Sequence, residues 1–285
     1  MNMTPEEAVL YLRQDPKYAQ KLLNAYLGTN IHACGKQFAR SAEFEEVRNL
    51  VGAIKDTHIL DLGSGTGIAA YAFSRHGARC VYALEPDPSE VVGYHAIHRL
   101  TIGMPVRIIA GYGEAIPLPD ATVDIVYARQ VLHHTRDLDK TIEECARVLK
   151  LGGVFLACRE HVVDDEAQRD IFLRKHVMHN LTGNENAFPL STYLQAISKA
   201  GLVTKKVLGP WDTVINIYPA IQTTEALRTY PQTLLKKRYG KLGVWMGKFI
   251  LIQNLVWKRL KQPTPGRMYA FLAMKTQTYF TVPRK

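Results

Sequence analysis

Acidic residues are missing from the last part of this chain. Between Ala226 and Lys285 there are 13 lysines and arginines and no aspartate or glutamate, whereas residues 1–225 hold 23 basic against 26 acidic groups. The formal charge of +10 thus belongs to one section, and a mildly acidic body and a basic end need separate explanations. Cysteine is scarce as well. Cys34, Cys80, Cys145 and Cys158 share no short ligand spacing, so they fit a reducing cytosol better than a disulfide framework or a zinc site. No apolar run reaches the roughly 18 residues of a spanning helix. The start, Met1 to Glu7, lacks the basic and apolar regions of a signal peptide, so a cytoplasmic protein is expected. Low-complexity tracts are absent too. With 285 residues, 47% of them hydrophobic, the chain is ample for one large domain.

What is present begins with a helix start. Thr4-Pro5-Glu6-Glu7 supplies a hydroxyl cap, a proline at the first helical position and a glutamate three after the cap. Helical patterning continues to about Ala53, broken at Pro16 and Gly28, with no strand signal before residue 57. The rhythm then changes. Short apolar runs at His58–Leu62, Cys80–Leu84, Val106–Ala110, Val123–Tyr127 and Val154–Cys158 alternate with helix-like segments at Gly67–His76, Pro88–Leu100 and Leu138–Leu149. Such alternation predicts βαβ units and a parallel sheet. A further helix over Ser191–Ala200 leads to strands at Val203–Val207 and Val214–Tyr218, and a last strand at Met268–Met274 follows Pro265-Gly266.

The sharpest feature is Asp61-Leu62-Gly63-Ser64-Gly65-Thr66-Gly67, an apolar strand running into a glycine-rich turn that opens a helix. Glycine permits positive φ and close ligand approach, while the helix start offers unpaired N–H donors. A bare strand-to-helix turn is the plain alternative, but three glycines in five residues speak against it. A dinucleotide fingerprint would need glycine where Ile68 stands, and a phosphate loop would need a lysine that is missing. Asp61, just before the first glycine, suits a ligand bearing an ammonium. Glu85 ends the second strand, 18 residues after Gly67, about where a nucleotide-binding α/β fold places its ribose-binding acid.

Residues 56–158 resemble class I S-adenosylmethionine-dependent methyltransferases, of the group that includes quinone-biosynthesis enzymes. The turn and Glu85 carry the resemblance, together with Gly111–Asp120, Val123–His134 and Ala146–Gly153 in the family's order. It implies a Rossmann-like α/β fold, with a mostly parallel seven-stranded sheet and helices on both faces. The cofactor it implies is S-adenosylmethionine. Asp61 would favour the ammonium, and the amides of Gly63, Ser64, Gly65 and Gly67 would face the methionine moiety. Glu85 would take the ribose hydroxyls, Glu114 and the Ala115 amide would read the adenine edge, and Arg129 would stand at the end of the fourth strand on the cofactor side.

An acceptor would sit at the carboxyl ends of the strands. There the loop after Cys158 carries Arg159-Glu160-His161, then His176, His179 and Gly183–Phe188. A hydroxyl acceptor needs a base, and His161 at a strand end is the first candidate. The bland role for His133 and His134 is structural or lining the pocket, and for His176 and His179, which share a helix face, it is packing. A metal site from Glu160, His161, His176 and His179 would lack a tight ligand motif, so none is expected. The segment 159–190 resembles methyltransferases from bacterial surface-glycan genes, which implies O-methylation of a saccharide or related small molecule. Methylation of a lipid-quinone, a phenolic natural product or RNA stays open, as does a non-enzymatic cofactor-binding scaffold.

One domain is expected. Residues 1–55 would form a helical cap, 56–160 the cofactor-binding core and 161–218 the substrate side. Residues 219–265 would form a basic helical insertion, and 266–285 the last strand and tail. Within the insertion, 234–261 interleaves Lys236, Lys237, Arg238, Lys241, Lys248 and Lys258 with Trp245, Phe249, Ile250, Leu251 and Trp257. A lid or oligomer contact, an interfacial helix on an anionic membrane and an RNA-binding surface compete here. The aliphatic density at 249–256 argues against a purely nucleic-acid surface.

Overall fold

The computed structural model describes residues 2–277, so the tail beyond 277 lies outside the described residues. Four helices open the chain: α1 (Pro5–Gln14), α2 (Pro16–Asn24), α3 (Ile31–Ala39) and α4 (Ala42–Val51). The predicted capping box closes α1. Thr4 Oγ1 accepts from the Glu7 amide at 3.2 Å, and the Glu7 carboxylate accepts from the Thr4 amide at 2.8 Å.

The alternating region follows: β1 (His58–Leu62), α5 (Ile68–Arg75), β2 (Cys80–Glu85), α6 (Tyr94–Thr101), β3 (Val106–Ala110), β4 (Val123–Arg129), α7 (Leu138–Val148) and β5 (Leu149–Val163). Then come α8 (Glu166–Lys175), α9 (Val177–Thr182), β6 (Phe188–Pro189), α10 (Leu190–Lys199) and β7 (Leu202–Leu208). The chain continues through α11 (Thr224–Arg228), α12 (Tyr230–Met246), α13 (Ile250–Leu260) and β8 (Arg267–Lys275). The strands lie in the order β3-β2-β1-β4-β5-β8-β7. All pairs are parallel except those of β8, which runs antiparallel to both neighbours, and β6 is an eighth short strand beside the end of β5.

The sheet is covered on both faces, which explains why its strands read as continuous apolar runs rather than alternating ones. Ile59, Val81, Tyr127 and Leu156 face a core built with Phe38, Phe44 and Phe73 of the first five helices. Leu60, Val126 and Phe155 face the opposite core, with Ile142 of α7 and Tyr193 of α10.

Three expectations change. The strand expected at Val214–Tyr218 is a 3-10 turn at Val214–Asn216, whose carbonyl at Ile215 accepts from buried Arg159 at 2.6 Å. The helix expected from Pro88 starts only at Tyr94. Ser89 Oγ instead accepts from the Val91 and Val92 amides, each at 3.0 Å, and a Cβ on Gly93 would meet the Asp87 carbonyl at 2.1 Å. Finally, β5 continues five residues beyond Cys158. Its register against β8 breaks between Ala157 and Glu160, where Arg159 takes φ +61°. That bulge aims Glu160 and His161 into the protein, and both are buried.

Candidate active site

A cavity of about 610 Å³ opens at the carboxyl ends of β1, β2, β3 and β4, the position at which such sheets bind ligands. One end is lined by Gly63, Glu85, Asp87, Gly111, Gly113 and Glu114. The other is lined by Gln130, His134, Thr182, Asn184 and Glu185, while Arg136 stands beside Glu114. Pro5 of the helical cap reaches the wall, and the Met3 amide donates to the Leu181 carbonyl at 2.9 Å, so the cap and the α9 region meet over this opening.

The glycine turn is held from two sides. Asp61 Oδ2 accepts from Ser64 Oγ at 2.6 Å and from the Ala70 amide at 3.1 Å. Gly63 has φ +59°, and a Cβ there would stand 2.6 Å from Val131, so only glycine fits. Gly65 and Gly67 also take positive φ, and the Gly65 amide donates to Glu85 Oε2 at 2.7 Å. Glu85 Oε1 accepts from the Asp87 amide at 3.1 Å. Each oxygen of this nearly buried carboxylate therefore keeps a lone pair, a donor-seeking pair of atoms that fits a vicinal diol. Burial pushes both Asp61 and Glu85 up to about 7.

The remaining residues expected on the cofactor side divide. Glu114 lines the cavity and accepts from the Arg136 amide at 2.8 Å, which ties this loop to the start of α7. The Ala115 amide is turned back to the Tyr112 carbonyl at 3.2 Å, outside the wall. Asp61 and Ser64 also stand behind the wall, and there they hold the turn. Arg129 is placed elsewhere. Its Nε donates to Glu43 Oε1 at 2.6 Å, and its guanidinium lies over the Tyr26 and Phe38 rings, which joins β4 to the helical cap. Glu43, fully buried, had no signature as a partner, because its match is 86 residues away.

His161 is also off the wall. Its ring is buried against His133 and Phe172, with centroids 4.7 and 4.6 Å away, and its Nδ1 faces the Gly266 carbonyl at 2.9 Å. Burial, with the charge of His133 beside it, pushes its pKa down to about 3. The base role expected for His161 therefore finds no route to the cavity, and His134 is the histidine that stands on it. His133 lies behind, its Nδ1 2.7 Å from Glu160 Oε2. Burial alone would lower the pKa of His133, but the carboxylates of Glu160 and Glu185 outweigh it and raise the value to about 9. Glu185 and Asn184 were visible in sequence only as members of a polar loop. It is the fold that sets them opposite His134.

Comparison with known proteins agrees with this geometry. The methyltransferase domain family matches residues 60–157. An uncharacterized methyltransferase of Bacillus subtilis (strain 168) is 35% identical over 122 residues, 42% of this chain and 46% of that protein. A ubiquinone biosynthesis O-methyltransferase of Rhizobium rhizogenes is 30% identical over 148 residues, covering 52% of this chain and 56% of that one. The chain thus spans about half the length of the curated relatives it matches. Among solved structures, geranyl diphosphate methyltransferase in complex with S-adenosylmethionine superposes with a TM-score of 0.57 at 15% identity, over 96% of this chain and 97% of the other, a likeness of fold. The glycine turn, Glu85 and strands β2, β3 and β4 stand in the segment the family matches, and residues 60–157 carry a methyltransferase domain.

Proposed function

We propose that the protein transfers a methyl group from S-adenosylmethionine to a hydroxyl oxygen of a saccharide or related small molecule. The observation that supports this reading is a group of polar side chains on an otherwise largely apolar cavity wall. Glu85 and Gly63 stand at one end, and Gln130, His134, Thr182, Asn184 and Glu185 at the other. A sterol ring would leave His134 Nε2 and Glu185 Oε2 without hydrogen bonds, whereas a polyhydroxylated acceptor supplies partners for them.

When bound, S-adenosylmethionine supplies an electrophilic methyl group on a positive sulfonium. The chain's own part is to align, to exclude water and to receive a proton. Glu85 would accept from the two ribose hydroxyls, and Glu114 would face the adenine. Pro5 and Thr182 both stand on the cavity wall. The hydroxyl proton has two destinations on the wall, His134 and Glu185. His134 Nδ1 faces the Asn184 carbonyl at 2.7 Å, which fixes the proton there and leaves Nε2 as the accepting atom. Burial and the charge of His133 lower the His134 pKa, which favours the neutral ring.

A peripheral contact with an anionic membrane goes with this reading. Ile250, Leu251 and Leu255 of α13 are exposed, Trp245 and Phe249 flank them, and Lys248, Lys258 and Arg259 lie in the same stretch. Such a surface suits a lipid-linked acceptor. No described helix is long and apolar enough to cross a membrane.

Calorimetric titration with S-adenosylmethionine and its demethylated product tests the reading first, followed by a methyl-transfer screen over glycan, quinone and RNA acceptors. Binding of both nucleosides with transfer to a glycan hydroxyl is expected, and transfer only to a quinone or RNA would overturn the acceptor class. Within the active protein, His134→Ala should depress turnover at saturating cofactor more than His161→Ala.

A further inference from the structure

Four histidine rings run in a row beneath the acceptor end of the cavity. Ring centroids lie 4.2 Å apart for His133 and His134, 4.7 Å for His133 and His161, and 5.6 Å for His161 and His176. Glu185 stands against this row. Its Oε2 is 3.5 Å from His133 Nε2 and 3.7 Å from His134 Nε2, and its Oε1 is 3.7 Å from His176 Nδ1. Neither Glu185 Oε2 nor His176 Nδ1 has a hydrogen-bond partner, although both atoms are buried. Buried polar atoms left in this state ordinarily answer to something.

The orientation of the imidazoles says what. Asn184 offers His134 a carbonyl, which only accepts, so Nδ1 carries the proton and Nε2 presents a lone pair. The Glu160 carboxylate holds His133 by Nδ1 in the same way and turns its Nε2 toward Glu185. Glu160 is itself fixed, by the Val131 amide at 3.0 Å and the His133 amide at 3.2 Å. A histidine whose far nitrogen is pinned by a carboxylate or a backbone carbonyl, with the near one bare, is the arrangement that metal-ligating histidines show.

We propose that His133 Nε2, His134 Nε2 and Glu185 form a binding site for one divalent transition-metal ion at the acceptor end of the cavity. The three ligand atoms lie within 4.8 Å of one another. Two ligands about 2.0–2.1 Å from a tetrahedral ion stand roughly 3.3 Å apart, close to the 3.5 and 3.7 Å at which His133 Nε2 and His134 Nε2 stand from Glu185 Oε2. Two imidazoles and a carboxylate suit zinc, iron, cobalt or nickel rather than magnesium or calcium. Three protein ligands leave a fourth position free, and His134 and Glu185 both line the cavity, so that position opens toward the acceptor. His161, His176 and Glu185 make a neighbouring trio. It draws on the same carboxylate, and only Glu185 among its members reaches the wall, so an ion arriving through the cavity meets the first trio.

An ion there would occupy the lone pairs of His134 Nε2 and Glu185 that otherwise receive the hydroxyl proton, so its effect on an acceptor oxygen rests on the methyl-transfer reading, whereas its binding does not. The test uses untagged, chelator-stripped full-length protein, with Zn²⁺ measured by competition against a chromophoric chelator and Co²⁺ by its visible d–d absorption. One equivalent of either ion is expected, with Co²⁺ bands of a four- or five-coordinate site. Glu185→Gln and His134→Gln should each weaken binding about tenfold or more, and His176→Gln should leave it nearly unchanged. His134 is partly exposed, so its variant carries the test should Glu185→Gln fail to fold. Absence of stoichiometric binding, or affinity untouched by both substitutions, would overturn the site. Calorimetry with S-adenosylmethionine reads the cofactor end separately, so the two ideas can fail independently.

Discussion

The two ends of the cavity are built on different principles. At the cofactor end the decisive groups are local: a strand end, a glycine turn and a carboxylate 18 residues past Gly67, joined by the Gly65 amide donating to Glu85. At the acceptor end they come from far apart. His133 follows β4, Glu160 lies past the bulge of β5, and Glu185 sits in the loop after α9. Backbone geometry makes the first end, and long-range side-chain pairing makes the second.

The largest expected effect breaks a long-range pair. Arg129→Met would leave the Glu43 carboxylate buried with only Tyr26 and a 4.0 Å approach of Arg159 Nε to hold it. A loss of roughly 3–5 kcal/mol in stability is expected by thermal or urea unfolding. A loss below about 1 kcal/mol would show that the cap does not depend on this pair.

A smaller effect is expected at the local end. Glu85→Gln should weaken binding of the demethylated cofactor by about 1.5–3 kcal/mol, or roughly 10- to 100-fold, in calorimetry. Its pH dependence has a definite sign. The folded carboxyl titrates near 7 and the unfolded one near 4.5, so the ligand-free fold holds the extra proton and its stability falls as pH rises between those values. Ionised Glu85 is the form that accepts two hydroxyls, so cofactor affinity should rise as pH rises through about 7. The glutamine variant should lose the Glu85 part of this rise. An unchanged pH profile would remove Glu85 from the ribose role.

The smallest effect is on the surface. Ile250 and Leu251 are 70% and 76% exposed, and replacing both with serine should change stability by no more than about 0.5 kcal/mol per site. The same double variant should lose salt-sensitive sedimentation with anionic vesicles. Vesicle binding that survives the change, or that never occurs in the parent, would return α12 and α13 to the role of a lid.

Much of the local architecture was legible in advance. The start of α1, β1, the glycine turn, β3, α7 and Glu85 at the end of β2 follow from caps, periodicity and turn chemistry acting over a few residues. The misreadings have a common cause. Val214–Tyr218 is apolar enough for a strand, yet its backbone carbonyls serve Arg159 instead. His161 occupies a strand end, as expected, but a single bulged residue with φ +61° sends its ring inward against Phe172. Arg129 was set on the cofactor side by its position in a motif, and its charge is claimed by Glu43, 86 residues away.

The sequence by itself determined the alternating α/β order, the turn that only glycine can make and the division between an acidic body and a basic end, because each depends on neighbours in the chain. Only the tertiary structure decided which charges pair, which histidine reaches the cavity and which carboxylate meets the histidine row. A buried charge is settled by the partner nearest in space, and nothing in local sequence specifies that partner.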